Sequence, residues 1–262
     1  MRVAAVQCPV RMDVDSNLRD LEAAVATLAP QTLVVAPEGL LSGYLPEPGF
    51  IARLDDAVTA RAVEHAGVLA MRAQVHLVVG GCVRIDGTWR NSSFYFGPDG
   101  RSWRYDKINL ARSERGDFTP GDSLPVFDFD VNGAQVRLGV QMCREIRYPE
   151  QWRWLALQGA QIVAYVNNAV GSADGCKLWR SHVISRAGET QRFVVGANNA
   201  APDQTCTTLV VGPSGRVLAE APVGEVATAT AEIELSEVSD WVISQARDDV
   251  VTVAGAAQRS AP

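Results

Sequence analysis

The chain has 262 residues, 47% of them hydrophobic and 21% charged, with 30 acidic against 24 basic side chains and a formal net charge of -6. This is an ordinary globular composition with ample material for a core, and its acidic balance, without any Lys/Arg-rich run, argues against a surface built for nucleic acid or anionic membrane. No apolar run approaches the ~18 residues that span a bilayer, and the opening MRVAAVQCPV turns polar too soon for a signal peptide. The cysteines Cys8, Cys82, Cys143, Cys176 and Cys206 are odd in number, widely spaced and without a CxxC, so they read as reduced thiols of a cytoplasmic protein. His65, His76 and His182 share no ligand spacing, which speaks against a structural zinc.

In chain order, Arg2 to Cys8 reads as a first strand. A helix follows, capped by Asp15 or Ser16, with Leu18, Leu21, Val25 and Leu28 on one face. Thr32 to Ala36 is a buried strand that stops at Pro37-Glu38-Gly39, and a Gly/Pro-rich loop runs on to Pro48. Asp55 to Ala73 is a second helix, with Val58, Ala62, His65, Leu69 and Arg72 along it. Val75 to Arg84 and Trp89 to Phe96 form a hairpin around Asp86-Gly87, and Ser102 to Tyr105 adds a strand before Asp106-Lys107. Ile108 to Pro125 is polar, irregular and long enough to suggest function. A second hairpin, Phe127 to Val131 and Gln135 to Met142, turns at Asn132-Gly133 and ends at Cys143.

Pro149 opens a helix through Gln158, where its missing N–H costs nothing. Then come a strand from Gln161 to Val166, a loop from Asn167 to Gly175, a helix around Lys177 to Thr190, strands at Phe193–Ala197, Thr207–Val211, Val217–Ala221 and Val226–Ile233, and a mixed tail from Ser236. No linker divides the chain, which predicts one domain. A faint echo, Gly97-Pro98-Asp99-Gly100-Arg101 against Gly212-Pro213-Ser214-Gly215-Arg216, fits two similar halves packed sheet to sheet, although GPxG is also common turn chemistry.

Three strand ends each carry an unusual residue: Glu38, Lys107 and Cys143. Active groups gather where strands end in sheets covered by helices. A thiol of ordinary pKa near ~8.5 is mostly protonated at neutral pH, so a nucleophilic Cys143 needs a base or a nearby cation. Glu38 could take the proton; Lys107 could favour the thiolate and bind an oxyanion; the backbone N–H of Arg144 could be a second donor. Each residue also admits a plainer role: Cys143 as a buried structural thiol, Glu38 as a surface carboxylate or cap, Lys107 and Glu114 as solvated charges.

These segments, in this order, resemble the nitrilase superfamily of carbon–nitrogen hydrolases. That family carries a Glu–Lys–Cys triad in stretches like Pro37-Glu38-Gly39, Tyr105-Asp106-Lys107 and Cys143-Arg144-Glu145-Ile146-Arg147-Tyr148-Pro149-Glu150. Glu114, within SERGDFTPG, resembles the family's second glutamate; Trp179 to Asn198 and Thr207 to Gly215 resemble its late helix, strands and turn, so the likeness runs from about Val3 to about Ile233. It is nearest to the small stand-alone omega-amidase-like branch.

The resemblance implies an α/β fold, a four-layer α-β-β-α sandwich of two mixed sheets flanked by helices, spanning residues 1–262 as one domain. It also implies a homodimer or higher homo-oligomer, with the helix after Cys143 and the tail 236–262 in the contact. Trp152 and Trp154 fit that contact, or the core. The implied chemistry is hydrolysis of a small carboxamide to acid and ammonia through a thioester on Cys143. Catalysis would fall to Glu38, Lys107, Cys143 and Glu114, and Tyr44, Arg144 and Asn168 would contact substrate. No metal or organic cofactor, nucleic acid or membrane partner is required.

The sequence departs from the family in three places. Lys107-Ile108-Asn109 lacks a histidine two residues after the lysine, Arg144-Glu145 replaces the frequent Tyr-Asp, and Asn167-Asn168-Ala169 replaces a Pro-containing turn. They leave open a nitrilase or an N-carbamoyl amine or amino-acid hydrolase. A dimeric binding module with a retired site is the non-enzymatic alternative.

Overall fold

The computed structural model describes residues 1–171, 173–204, 206–247 and 249, apart from the side chains of 173 and 174. The tail assigned to a subunit contact therefore lies outside the described residues from position 250 onward. Among the described residues, twelve strands and four α-helices follow one another as β1 (Arg2–Gln7), α1 (Val14–Val25), β2 (Leu33–Val35), α2 (Asp56–Ala73), β3 (His76–Ile85), β4 (Thr88–Phe96), β5 (Ser102–Asp106), β6 (Val126–Val131), β7 (Ala134–Met142), α3 (Pro149–Leu157), β8 (Ile162–Val166), α4 (Ala173–Thr190), β9 (Phe193–Ala197), β10 (Leu209–Val211), β11 (Val217–Glu220) and β12 (Ala227–Glu232).

They build two mixed six-stranded sheets, ordered β12-β1-β2-β3-β4-β5 and β11-β10-β9-β8-β7-β6. In the first, β1, β2 and β3 are parallel, with Ala4 opposite Val34 and Val34 opposite Leu77. In the second, β7, β8 and β9 are parallel, with Val140 opposite Ala164 and Ala164 opposite Val195. The remaining pairings are antiparallel.

The side-chain alternation of a strand sorts the core into layers. Leu33, Val35, Ile162, Ala164 and Val166 point between the two sheets. Val34 and Val79 meet Leu21, Val25, Ala62, Ala66 and Leu69 of α1 and α2. Val163, Tyr165 and Val194 meet Trp152, Leu155, Val183 and Ala187 of α3 and α4. The result is the expected α-β-β-α sandwich.

The two sheet orders match strand for strand: β1, β2, β3, β4 and β5 correspond to β7, β8, β9, β10 and β11, while β6 and β12 each complete the other half's sheet. The echoed turns are the same structure twice. Gly97 N–H donates to Arg101 O at 2.8 Å and Gly100 N–H to Gly97 O at 3.1 Å; Gly212 and Gly215 do likewise at 2.9 and 2.9 Å.

Several local expectations shift. Asp13, not Asp15 or Ser16, caps α1, because its carboxylate is the one that reaches the Ser16 N–H (3.2 Å). On α2 the buried face is Thr59, Ala62, Ala66, Leu69 and Ala70; His65 and Arg72 instead reach Glu22 on the surface. The stretch 108–125 is better anchored than its polarity suggests, since Leu110 and Phe118 are buried in a cluster with Tyr44 and Phe50. Trp152 is wholly buried, so it serves the core and not a subunit contact.

Candidate active site

The ends of β2, β5, β7 and β8 converge at one edge of the sandwich. After β2 the chain crosses β3, with Gly80 N–H donating to Pro37 O (3.1 Å) and Leu41 N–H to Gly80 O (3.0 Å). Glu38 N–H then donates to Asn167 O (3.2 Å), joining the matching strand ends of the two halves. Lys107 follows β5, its N–H held by Asn91 O at 2.9 Å.

The ammonium of Lys107 lies between two carboxylates, 2.8 Å from Glu38 Oε1 and 2.9 Å from Glu114 Oε1, with all three side chains shut off from solvent. Asn91 Nδ2 donates to the same two oxygens at 2.7 and 2.7 Å. Glu114 also accepts from the Tyr44 hydroxyl (2.8 Å) and the Ala111 N–H (2.6 Å). Glu38 is less committed: its Oε2 is buried with no hydrogen-bond partner. Of the three ammonium donors of Lys107, two are engaged and one is left for another acceptor.

This difference in partners separates the two carboxylates electrostatically. Burial, with the charge of Glu114 adding to it, keeps Glu38 above the usual carboxylate range despite Lys107. Burial also pushes Glu114 upward, but Lys107 and the other donors outweigh it and hold Glu114 below that range. Burial alone would lower Lys107; the charges of Glu114 and Glu38 overcome it and hold the ammonium well above the ordinary lysine value.

Cys143 opens a short 3-10 helix, Cys143–Arg147, straight after β7. Its φ is +40°, a left-handed conformation that a non-glycine residue adopts only when its surroundings enforce it. Those surroundings are visible. The Tyr165 hydroxyl donates to Cys143 O at 2.7 Å, and Trp179 Nε1 donates to that hydroxyl at 2.7 Å. The Met142 N–H donates to Glu145 Oε2 at 2.8 Å. The Cys143 thiol donates to Asn168 O (3.8 Å). Burial, reinforced by the charge of Glu38, raises its pKa, so it rests as a neutral thiol. The N–H of Arg144 lies in the first turn of its helix, where backbone donors have no intrahelical acceptor.

All the residues singled out from sequence can thus be placed. Glu38, Lys107, Glu114 and Tyr44 form one hydrogen-bonded cluster. Cys143 and Asn168 meet beside it, with Asn168 Nδ2 donating to Glu38 O at 3.4 Å and accepting at Oδ1 from Asn199 at 3.2 Å. Arg144 is half-buried, its Nε out of solvent and without a partner.

Sequence reading missed Asn91. Its signal was the run Asn91-Ser92-Ser93 in a strand whose six last residues are all buried. Among the described residues no group of three or more His, Cys, Asp or Glu is placed to hold a metal ion, and no helix is long and apolar enough to cross a membrane.

A family profile described as carbon-nitrogen hydrolase matches residues 2–242. The chain belongs to the carbon-nitrogen hydrolase family. It is 33% identical over 234 residues to an (R)-stereoselective amidase of Pseudomonas sp., covering 86% of this chain and 82% of that one. It is 26% identical to an omega-amidase of Homo sapiens, over 96% of this chain and 97% of the relative. A solved amidase from Nesterenkonia sp. shares the fold, with a TM-score of 0.81 at 23% identity over 95% and 94% of the two chains. These relations make the protein a hydrolase of carbon–nitrogen bonds.

Proposed function

We propose that this hydrolase is an amidase that converts a small carboxamide to its acid and ammonia through a thioester on Cys143. The observation that carries the reading is the free oxygen of Glu38. Oε2 is buried and unpartnered beside the Lys107 ammonium, and it lies in the charge environment of the Cys143 thiol.

The steps follow from the protonation states. Glu38, ionised but with a raised proton affinity, takes the thiol proton as Sγ attacks the carbonyl carbon. The oxyanion is met by the remaining donor of Lys107 and by the Arg144 N–H, of a kind whose loss costs ~100- to 1,000-fold in rate. Glu38 then passes its proton to the nitrogen; the C–N bond breaks and ammonia leaves the thioester. A water molecule, deprotonated by Glu38, attacks the thioester, and the acid departs as Cys143 regains its proton. Glu114 stays ionised throughout and keeps Lys107 charged. The half-buried Arg144 and the Asn167-Asn168-Ala169 turn border the thiol and are proposed to contact substrate.

Residues 1–262 are read as one catalytic unit working in the cytoplasm. Self-association is proposed through the helix after Cys143, where Leu157 is exposed, and the tail, where Trp241 is exposed. Light scattering at several concentrations tests it, and a monomer throughout contradicts it. The test of function is ammonia release over a panel of small carboxamides, N-carbamoyl compounds and nitriles. Turnover of carboxamides, abolished by Cys143→Ala, is the expected result. Turnover confined to nitriles or carbamoyl compounds overturns the amidase reading.

A further inference from the structure

Glu145 is fully buried although it carries a carboxylate. Burial pushes its pKa up to about 7 against the hydrogen bonds that favour the charged form; a carboxylate held away from water must be matched by donors, and those around Glu145 come from two separate places. From its own turn, the Met142 N–H donates to Oε2 (2.8 Å). From the turn after Lys107, the Ile108 and Asn109 N–H groups donate to Oε1 (2.9 and 3.0 Å). The Tyr105 hydroxyl on β5 donates between them, at 2.8 and 2.9 Å. The carbonyl of Glu145 in turn accepts from Trp152 Nε1 of α3 (3.0 Å). Met142 immediately precedes Cys143, and Ile108 immediately follows Lys107. The two carboxylate oxygens therefore bridge the N–H group just before Cys143 and the N–H groups just after Lys107.

Building on the amidase reading, we propose that Glu145 is a positioning residue: its carboxylate locks the Cys143 turn to the Lys107 turn and so sets where the thiol lies relative to the ammonium and Glu38. The two turns follow strands of different sheets, and the Glu145 carboxylate is hydrogen-bonded to the backbone of both. The tie also bears on the left-handed Cys143. Tyr165 fixes its carbonyl side and Glu145 the N–H just before it, so the strained residue is gripped from both directions.

A carboxamide cannot replace this carboxylate. Whichever way Glu145→Gln is turned, its NH2 meets an N–H group: Met142 on one side, or Ile108 and Asn109 on the other. Glu145→Asp is one methylene too short to reach both turns. The test compares wild type, Glu145→Gln and Tyr105→Phe by kcat and KM on a carboxamide. In parallel, intact mass follows the rate of Cys143 alkylation by iodoacetamide, with Cys143→Ala identifying the site.

For a folded Glu145→Gln, kcat is expected to fall about 100-fold, as for a reacting group displaced by ~1 Å. Cys143 alkylation should slow at least about 10-fold, with KM kept within about threefold. Tyr105→Phe leaves the carboxylate and its three N–H partners in place and is expected to lower kcat about 3- to 10-fold at unchanged KM. Folded Glu145→Gln with wild-type kcat and alkylation, or with a loss confined to KM, overturns the proposal. If Glu145→Gln does not fold, Tyr105→Phe decides, and wild-type kcat there overturns it. A reactive wild type matched by the variants sinks this proposal alone; a wild type that neither turns over nor alkylates at Cys143 sinks the amidase reading with it.

Discussion

Gly80 lies on β3 directly under the turn that presents Glu38, and there is no room for a side chain. A Cβ at this position would stand 2.5 Å from Glu38 Cα, 3.0 Å from Gly39 N and 3.1 Å from Pro37 O. All three are backbone atoms, so no rotamer change relieves the contact. Ordinary carbon contacts begin near ~3.5 Å, so Gly80→Ala must separate the two backbones by about 1 Å. Glu38 moves with its turn, and its bonds to Lys107 and Asn91, now 2.8 and 2.7 Å, would stretch beyond good hydrogen-bond geometry. Overpacking of this kind costs about 1–3 kcal/mol of stability, and a ~1 Å displacement of the base costs about 100-fold in rate. Steady-state ammonia release with a carboxamide substrate measures kcat, and thermal unfolding by circular dichroism measures the stability term. Gly188→Ala is the control, because a Cβ there meets nothing nearer than 4.0 Å. A folded Gly80→Ala protein with kcat within about threefold of wild type would refute the claim that Glu38 must stay where β3 holds it.

Four further outcomes follow from the charge cluster. The proposed base Glu38 must be unprotonated to act and is raised by burial, and burial pushes Glu145 up to about 7, so kcat/KM should fall as pH drops through values above the ordinary carboxylate range; an acid limb below about pH 4 contradicts this. On the alkaline side Lys107 and the Cys143 thiol both titrate above their ordinary values, so kcat/KM should stay flat to at least about pH 9 in the same profile. Asn91→Leu removes a donor shared by Glu38 and Glu114 and should lower kcat about 10- to 100-fold while moving the acid limb to higher pH. Tyr44→Phe takes one of several donors from Glu114 and should lower kcat only about 3- to 10-fold; a complete loss would show that Tyr44 has a direct role in the chemistry.

What could be read in the sequence was local. Glu38 and Cys143 stand out because each follows an apolar strand run with a reactive or charged residue, and Lys107 because it stands at a third strand end. The strand ends then carry them to one edge. Turns were equally legible: Asp86-Gly87 and Asn132-Gly133 supply the positive φ values their hairpins need.

Contacts made across the fold were hidden. Asn91 is one more strand residue until the Glu38 and Glu114 oxygens arrive from two other segments. Glu145 is a loop charge until the backbone after Lys107 is laid against it. The α1 cap was misplaced because Asp13, Asp15 and Ser16 are all good caps, and only the path of the chain decides which carboxylate meets the free N–H. His65 and Arg72 fell on an apparent helical stripe because Glu22, their surface partner, lies on another helix. The likeness of the two halves lies in strand order and direction, and only the short GPxG turns preserve it as letters.

Cys143 is proposed to carry the acyl group while Glu38 moves the protons. Rapid mixing of the protein with a turned-over carboxamide, followed by acid quench and intact-mass analysis, tests it directly. One adduct of the acyl mass is expected on the wild-type protein, absent in Cys143→Ala. Turnover that persists in Cys143→Ala, or an adduct on any other residue, would contradict it.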